Sequence, residues 1–282
     1  MITMTNGFTT TKEFNGQLNE LIMHAFGFSF DKWHAENVWN EDYEIYSIIE
    51  NSVMLANISV YKMKMIINGE KRDYLQFGSV ATREEYRRRG LSKKIMEHIF
   101  SIYPDTSCFL HAGDSVVEFY PKFGFKSITY KQPYIEYKLK NIGGMIKLDI
   151  SNPKVDKYLK ERSQYSKVFD CTNQYAINWF HLLYSHQNDI YEIPQLDIMI
   201  IAYKQDNKLR IYDIVASKPV SFEEIATHLC FEGVDIIKFH FNPDWLGIDY
   251  NMREYKNEDE TPFVKGDFGL EQEYMIPRTI IT

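Results

Sequence analysis

Gly78-Ser-Val-Ala-Thr-Arg-Glu-Glu-Tyr-Arg-Arg-Arg-Gly-Leu-Ser-Lys-Lys94 is the stretch whose reading decides the fold. It begins inside a β-type run, residues 74–82, and enters a charged run over 83–89. Beyond Gly90 the apolar residues Leu91, Ile95, Met96, Ile99 and Ile102 recur at helical spacing, and Pro104 stops the helix. A strand, a basic loop, a glycine and a helix therefore follow in order. A helix entered through Gly90 presents unpaired N–H groups and the positive end of its dipole. Such an end holds a phosphate or pyrophosphate, and Arg87, Arg88, Arg89, Lys93 and Lys94 surround it with charge. A run of charges alone ordinarily faces water, so the flanking sequence has to decide.

Upstream, Leu18, Leu21, Ile22, Ala25 and Phe26 predict a helical start to the chain, followed by a more acidic segment with Phe30, Trp33, Val38 and Trp39. Strands are expected over 43–49 and 53–67, with Asn68-Gly69 as the turn of a hairpin because both residues tolerate positive φ. Downstream, a short strand over 107–111 leads to a helical segment over 114–122, and strands over 125–128 and 134–139 close the unit. The Gly143-Gly144 pair places a domain boundary near residue 141. Beyond it, helices (153–166, 175–184), a hairpin (196–203, 209–216), a helix (222–231) and a strand (234–241) repeat the first order at a separation of about 130 residues.

Composition sets the outer bounds. The 282 residues suit two domains of ordinary size, and 44% hydrophobic with 25% charged residues excludes a largely disordered chain. A net charge of −7 gives no global basic surface for nucleic acid. Cys108, Cys171 and Cys230 are scattered and odd in number, which argues against a disulfide framework or a zinc ribbon. No signal peptide and no membrane-length apolar run are visible, so a cytoplasmic protein with no membrane partner is expected. His181 and His186 have no third ligand nearby and are read as packing residues, so no metal is expected.

The central stretch resembles the acetyl-CoA motif R/Q-x-x-G-x-G/A of the GCN5-related N-acetyltransferases (GNAT superfamily), with Arg87-Arg-Arg-Gly-Leu-Ser92 filling it and Ser92 standing where Gly or Ala is usual. Some thirty residues on, Asp114-Ser-Val-Val-Glu-Phe-Tyr-Pro-Lys-Phe-Gly-Phe125 is similar to that family's second motif. The resemblance covers roughly residues 14–140, and the tandem second half is similar to acetyltransferases of the enhanced-intracellular-survival type. Those pair an active domain with a degenerate one and often add a sterol-carrier-like third, for which this chain has no room. The fold so implied is α+β (α/β): two tandem GNAT-like domains, 1–140 catalytic and 141–282 degenerate, each a mixed, mostly antiparallel sheet flanked by helices.

The resemblance also implies roles. Val80, Ala81 and Thr82 would pair with the pantetheine arm of acetyl-CoA, and a backbone N–H near Thr82 would face the thioester oxygen. Arg88, Arg89, Gly90, Leu91, Ser92 and Lys93 would wrap the pyrophosphate, with Ser115 and Val116 near the cofactor's other arm. Tyr120 would protonate the leaving thiolate as general acid. The general base is open by residue type among His34, Glu36, Glu41, Asp42, Glu44 and His111. In the resembling enzymes it is the terminal carboxylate, and whether Thr282 reaches the first site is not readable. Trp33, Glu36, Glu41 and Asp42 lie where the family builds its acceptor pocket and would draw a cationic amine.

At the matching junction the second half has Ala216-Ser-Lys-Pro-Val-Ser-Phe222, in which Ser221 and Glu224 form a capping box and no glycine admits a pyrophosphate. It is expected to bind no coenzyme A and to wall the acceptor site or a subunit contact, a homo-oligomer being compatible with this. The expected function is transfer of an acetyl group from acetyl-CoA to the primary amine of a small molecule or peptide, by direct attack in a ternary complex. The alternatives are a non-catalytic acetyl-CoA-binding scaffold and an aminoacyl transferase of the same tandem fold.

Overall fold

The computed structural model describes residues 2–5, 7, 11–140, 143–256, 260–266, 268–269 and 272–282. The chain enters through a short strand, β1 (Ile2–Thr5), where the sequence suggested only helix. Helix α1 (Lys12–Phe26) is capped by the Thr11 side chain, which accepts from Phe14 N, and is stopped by Gly27 at φ 76°. It buries Phe14, Leu18, Leu21 and Ile22, a helical stripe. A single-turn helix, α2 (Asp31–Ala35), leads to β2 (Tyr43–Glu50), β3 (Val53–Ile67) and β4 (Glu70–Thr82). Next come α3 (Leu91–Ile102), β5 (Cys108–Ala112), β6 (Lys126–Ser127) and β7 (Lys131–Glu136). The segment expected as a helix over 114–122 is two 3₁₀ turns, Asp114–Val116 and Tyr120–Phe123, since Pro121 has no N–H to continue a helical ladder.

The second half runs β8 (Ile146–Lys147), α4 (Pro153–Glu161), β9 (Phe169–Cys171), α5 (Tyr175–Tyr184) and β10 (Ile190–Ile193). It continues with β11 (Ile198–Gln205), β12 (Lys208–Ala216), α6 (Phe222–His228), β13 (Ile236–Phe239), β14 (Asn251–Glu254) and β15 (Thr261–Lys265). Helix α4 ends before 166 because Arg162 leaves helical geometry, and its guanidinium grips the Asp213 carboxylate at 2.6 and 2.8 Å. The boundary expected near residue 141 falls on residues 141–142, outside those described.

Two mostly antiparallel sheets result, flanked by helices: an α+β architecture of two tandem units. One is ordered β1-β2-β3-β4-β5-β15-β6, with β9 added to β3; the other is β14-β7-β13-β12-β11-β10-β8. Each has one parallel pair, β4 with β5 and β12 with β13, at equivalent places. The strand after each pair comes from the other half. β15 pairs with β5, and β7 pairs with β13, so the strand expected to close the first unit closes the second sheet. Helices α3 and α6 cover equivalent faces: Leu91, Ile95, Met96 and Ile99 pack on Phe77 and Leu110, and Phe222, Ile225 and Ala226 on Ile211 and Phe239. A third core, containing Trp33, Tyr43, Phe169, Trp179 and Ile280, is shared by both halves.

Candidate active site

Strands β4 and β5 pair only over Leu75–Phe77 and then separate, although β4 continues to Thr82 and β5 to Ala112. On its other side β4 carries a bulge. The β3 ladder passes from Asn57↔Ala81 to Ser59↔Gly78, so Ser79 and Val80 together oppose Ile58, and Ser79 takes φ 50°. Buried Asn57 fixes this kink: its Nδ2 donates to Ser79 O (3.1 Å) and Ser59 Oγ (3.0 Å), and its Oδ1 accepts from Ser47 Oγ (2.8 Å).

A cavity of about 390 Å³ opens at the splay, lined by Gly78, Ser79, Val80, His111, Val116 and Tyr120 among others. Tyr120 is 4% exposed, with its ring packed against Phe119, Phe125 and Phe263. Its hydroxyl has no hydrogen-bond partner among the described residues, and burial pushes its pKa up to about 12. His111 Nε2 lies 3.3 Å from the Tyr130 hydroxyl, and its Nδ1 is buried without a partner among the described residues. Burial, aided by the Arg278 charge, pulls His111 down to about 3 and keeps the imidazole neutral.

The loop beyond β4 places two residues in the left-handed region, Arg88 at φ 62° and Gly90 at φ 75°. Gly90 caps α3 with no side-chain hydrogen bond, so the first N–H groups of α3 keep their capacity for an anion. Arg87 and Arg89 turn back onto the backbone oxygens of Thr82 and Glu85, and Arg89 also covers the Tyr86 ring. Lys93 sits 3.6 Å from Glu97. Arg88 and Lys94 engage no side chain among the described residues. In the second half the equivalent helix α6 has both bonds of the Ser221–Glu224 capping box in place, which consume the donors that α3 leaves open.

The structure brings together Val80, Val116, Tyr120 and Trp33 at one cavity. Ala81 (5% exposed) and Leu91 (7%) are core side chains that reach a ligand only through their backbone. Thr82 does not line the cavity. Its Oγ1 is 2.7 Å from Ser92 Oγ, tying the strand to α3, and the backbone kink facing the cavity is at Ser79–Val80. Ser115 is exposed. Trp33 is a wall, its Nε1 donating to Ala176 O at 2.7 Å. Glu36, Glu41 and Asp42 lie outside the lining, because the single turn of α2 leaves them beyond it; Asp42 accepts from Asn173 Nδ2 at 2.9 Å. Glu44 is also elsewhere. Despite its burial, donors from Tyr46, Tyr103 and Lys62 hold it below the usual carboxylate range.

Several wall residues come from parts of the chain to which the sequence reading gave no site role; for Thr282 it left the question open. Ile177 and Phe180 of α5, Glu260 before β15, and Thr282 all line the cavity. Glu260 is held by Arg278 at 3.1 Å. The 279–282 segment is pinned along its length: Asn178 Nδ2 donates to Thr279 O (2.9 Å), Gln76 Nε2 to Ile280 O (3.0 Å), and His181 Nε2 meets Ile281 O (2.6 Å). Thr282 N donates to Gln76 Oε1, and Thr282 packs where a side chain at Gly78 would stand. Gly78 was the one available sign of that close approach.

Residues 9–128 match the model of the acetyltransferase (GNAT) domain family. Solved structures with the same tandem fold include Eis1 from Mycobacterium abscessus: 12% identity, TM-score 0.54, 92% of this chain and 73% of that one covered. GCN5-related N-acetyltransferases from Kribbella flavida and Anabaena variabilis are each 13% identical with TM-score 0.54, covering 93% of this chain and 71% and 72% of theirs. No curated protein sequence matches the chain. The family match lies in the first half of the chain, where the strand-splay cavity and the α3 entry are. The chain's two-sheet architecture is shared with these solved structures over nearly its whole length.

Proposed function

We propose that the protein is an acetyl-CoA-dependent N-acetyltransferase acting on a primary amine by direct attack. The observation that carries this reading is one cavity shared by the splayed end of β4, its Ser79–Val80 bulge and Tyr120. Acetyl-CoA lies along the splay, its pantetheine arm pairing with the free edge of β4 and its pyrophosphate on the α3 N-terminus beside Arg88, Gly90, Ser92 and Lys94. The N–H at the bulge, in place of the one expected near Thr82, receives the oxyanion as the amine attacks. Glu260 offers the carboxylate oxygen that takes the amine's proton. Tyr120 gives its proton to the departing thiolate. A pKa of about 12 keeps the phenol protonated, and the same dry surroundings raise the basicity of a thiolate formed beside it.

The test is thiol release from acetyl-CoA by the purified chain with a panel of amines, beside thermal shift with acetyl-CoA alone. Amine-dependent release is the expected result. Stabilisation by acetyl-CoA without release for any amine would make the protein a binding scaffold. Stabilisation by aminoacyl-tRNA and not by acetyl-CoA would make it an aminoacyl transferase. Among the described residues no helix is long and apolar enough to cross a membrane.

A further inference from the structure

The part of the cavity away from the thioester arm has a definite chemistry. Phe28, Phe30, Trp33, Tyr43, Ile177 and Phe180 wall it. Their rings interlock edge to face or tilted: Phe30 to Trp33 at 5.6 Å, Trp33 to Phe180 at 5.3 Å, Phe28 to Phe180 at 6.0 Å and Trp33 to Tyr43 at 5.1 Å between centroids. The Trp33 N–H is spent on Ala176 O, so the indole offers its apolar surface. Among the described lining residues, Glu260 has the one carboxylate side chain, and Arg278 already holds it at 3.1 Å.

A polycation entering this space would lose the water around each ammonium, and each needs its own carboxylate in return. The acidic residues of the segment once expected to supply them, Glu36, Glu41 and Asp42, are outside the lining. An apolar body gains in the same space, and an aromatic one adds ring-to-ring contacts. The polar lining groups are Ser79, His111, Tyr120, Glu260 and Thr282 with the Tyr43 hydroxyl, which lies 3.4 Å from Ser79 Oγ at the β4 bulge. The volume of about 390 Å³ fits the range of pockets that enclose small molecules.

We propose that the acceptor is a monoamine with an aromatic or bulky apolar body, an arylalkylamine in chemical class, and not a polyamine or an aminosugar. This rests on the acetyltransferase reading of the site. The amino group sits at the Tyr120 end, and the body lies among Phe28, Trp33 and Phe180. Two wall residues, Ile177 and Phe180, belong to the second half of the chain, which thereby selects the acceptor without binding the acyl donor.

The experiment compares kcat/KM of the purified full chain for 2-phenylethylamine, ethylamine and spermidine with acetyl-CoA, then repeats ethylamine with hexanoyl-CoA. The expected preference for 2-phenylethylamine over ethylamine and over spermidine is about 100-fold. Phe180→Ala and Phe28→Ala each reduce that preference about tenfold, mainly through KM; the wild-type panel decides the matter even if a variant fails to fold. Spermidine turning over as well as 2-phenylethylamine would overturn the inference and leave the acetyltransferase reading standing. Hexanoyl-CoA surpassing acetyl-CoA with ethylamine would also overturn it, by assigning the aromatic half to the acyl chain. Thiol release with no amine at all would remove both.

Discussion

Replacing Tyr120 by Phe removes one oxygen atom from a ring that is 4% exposed and packed on three aromatic neighbours. The ring contacts survive the change. The hydroxyl has no hydrogen-bond partner among the described residues, so no protein donor or acceptor is orphaned. The folded state therefore loses nothing and gains up to about 1 kcal/mol from the removed desolvation, which for a chain of this size raises Tm by roughly 2–4 °C at most. Activity behaves oppositely. Losing a general acid costs about 10²–10⁴-fold in rate, and the loss should sit in kcat, since Tyr120 meets the thiolate only as it departs. Because the phenol titrates near 12, the wild-type rate should show no fall from Tyr120 deprotonation between pH 7 and pH 10. The assays are thiol release from acetyl-CoA and thermal unfolding, on both proteins. A variant within threefold of wild type in kcat would refute the proton-donor role, and a Tm drop of several degrees would show that the hydroxyl is structural.

Three other outcomes follow from the geometry. Arg88→Gly relieves the left-handed strain at φ 62° but loses a cation beside the α3 N-terminus, so stability should change by under about 1 kcal/mol while KM for acetyl-CoA rises about tenfold at unchanged kcat, measured by steady-state kinetics. Burial holds His111 and His181 near 3 and His240 well below its ordinary value, so their contribution to stability is present above pH 6.5 and drains away below it. Asp170, raised by burial to about 6, works the other way, its contribution being full below about 3.8 and lost through 6. His111 and His181 against Asp170 leave a net of about one proton, so stability should fall by about 1.4 kcal/mol per pH unit between pH 6 and pH 4, with His240 adding in the same direction, and more steeply in Asp170→Asn, by urea denaturation. Cys108 and Cys171 are buried with thiols pushed up to about 12, so a thiol reagent should modify exposed Cys230 rapidly and the other two only on unfolding.

Sequence reading succeeds where the cause is local. Asn68-Gly69 sets the β3–β4 hairpin through positive φ at both residues, and Gly90 with the arginines marks an uncapped helix entry. The Ser221–Glu224 box likewise shows which helix end is closed. It fails where partners are remote. β7 and β15 are short runs without a regular inside-outside alternation, and nothing within six residues says which parallel pair each will join. Glu260 and Thr282 reach the cavity because β15 and the last segment cross to the first half, which no local pattern announces. The acidic residues Glu36–Asp42 looked like an acceptor site by composition. A one-turn helix, however, directs one aromatic, Trp33, inward and leaves the carboxylates out.

The strand exchange bears on the chemistry through one ring. β15 fills the slot beside β5, and its Phe263 packs on Tyr120 with centroids 5.7 Å apart. The phenol therefore rests partly on residue 263, and the cavity walls include residues 177, 180, 260 and 282. A first half expressed alone would keep the phosphate-binding helix entry and Tyr120. It would leave β5 with an open edge, Tyr120 without one of its three ring contacts, and the cavity without its far wall. A chain ending at residue 140 should accordingly aggregate or, if soluble, bind acetyl-CoA weakly and acetylate nothing. Phe263→Leu in the full chain keeps β15 apolar while removing the ring, and should lower kcat about threefold to tenfold with little change in KM for acetyl-CoA. If the fragment proved a soluble monomer with the full chain's kcat/KM, the second half would have no part in the site, and the exchange would be architecture alone.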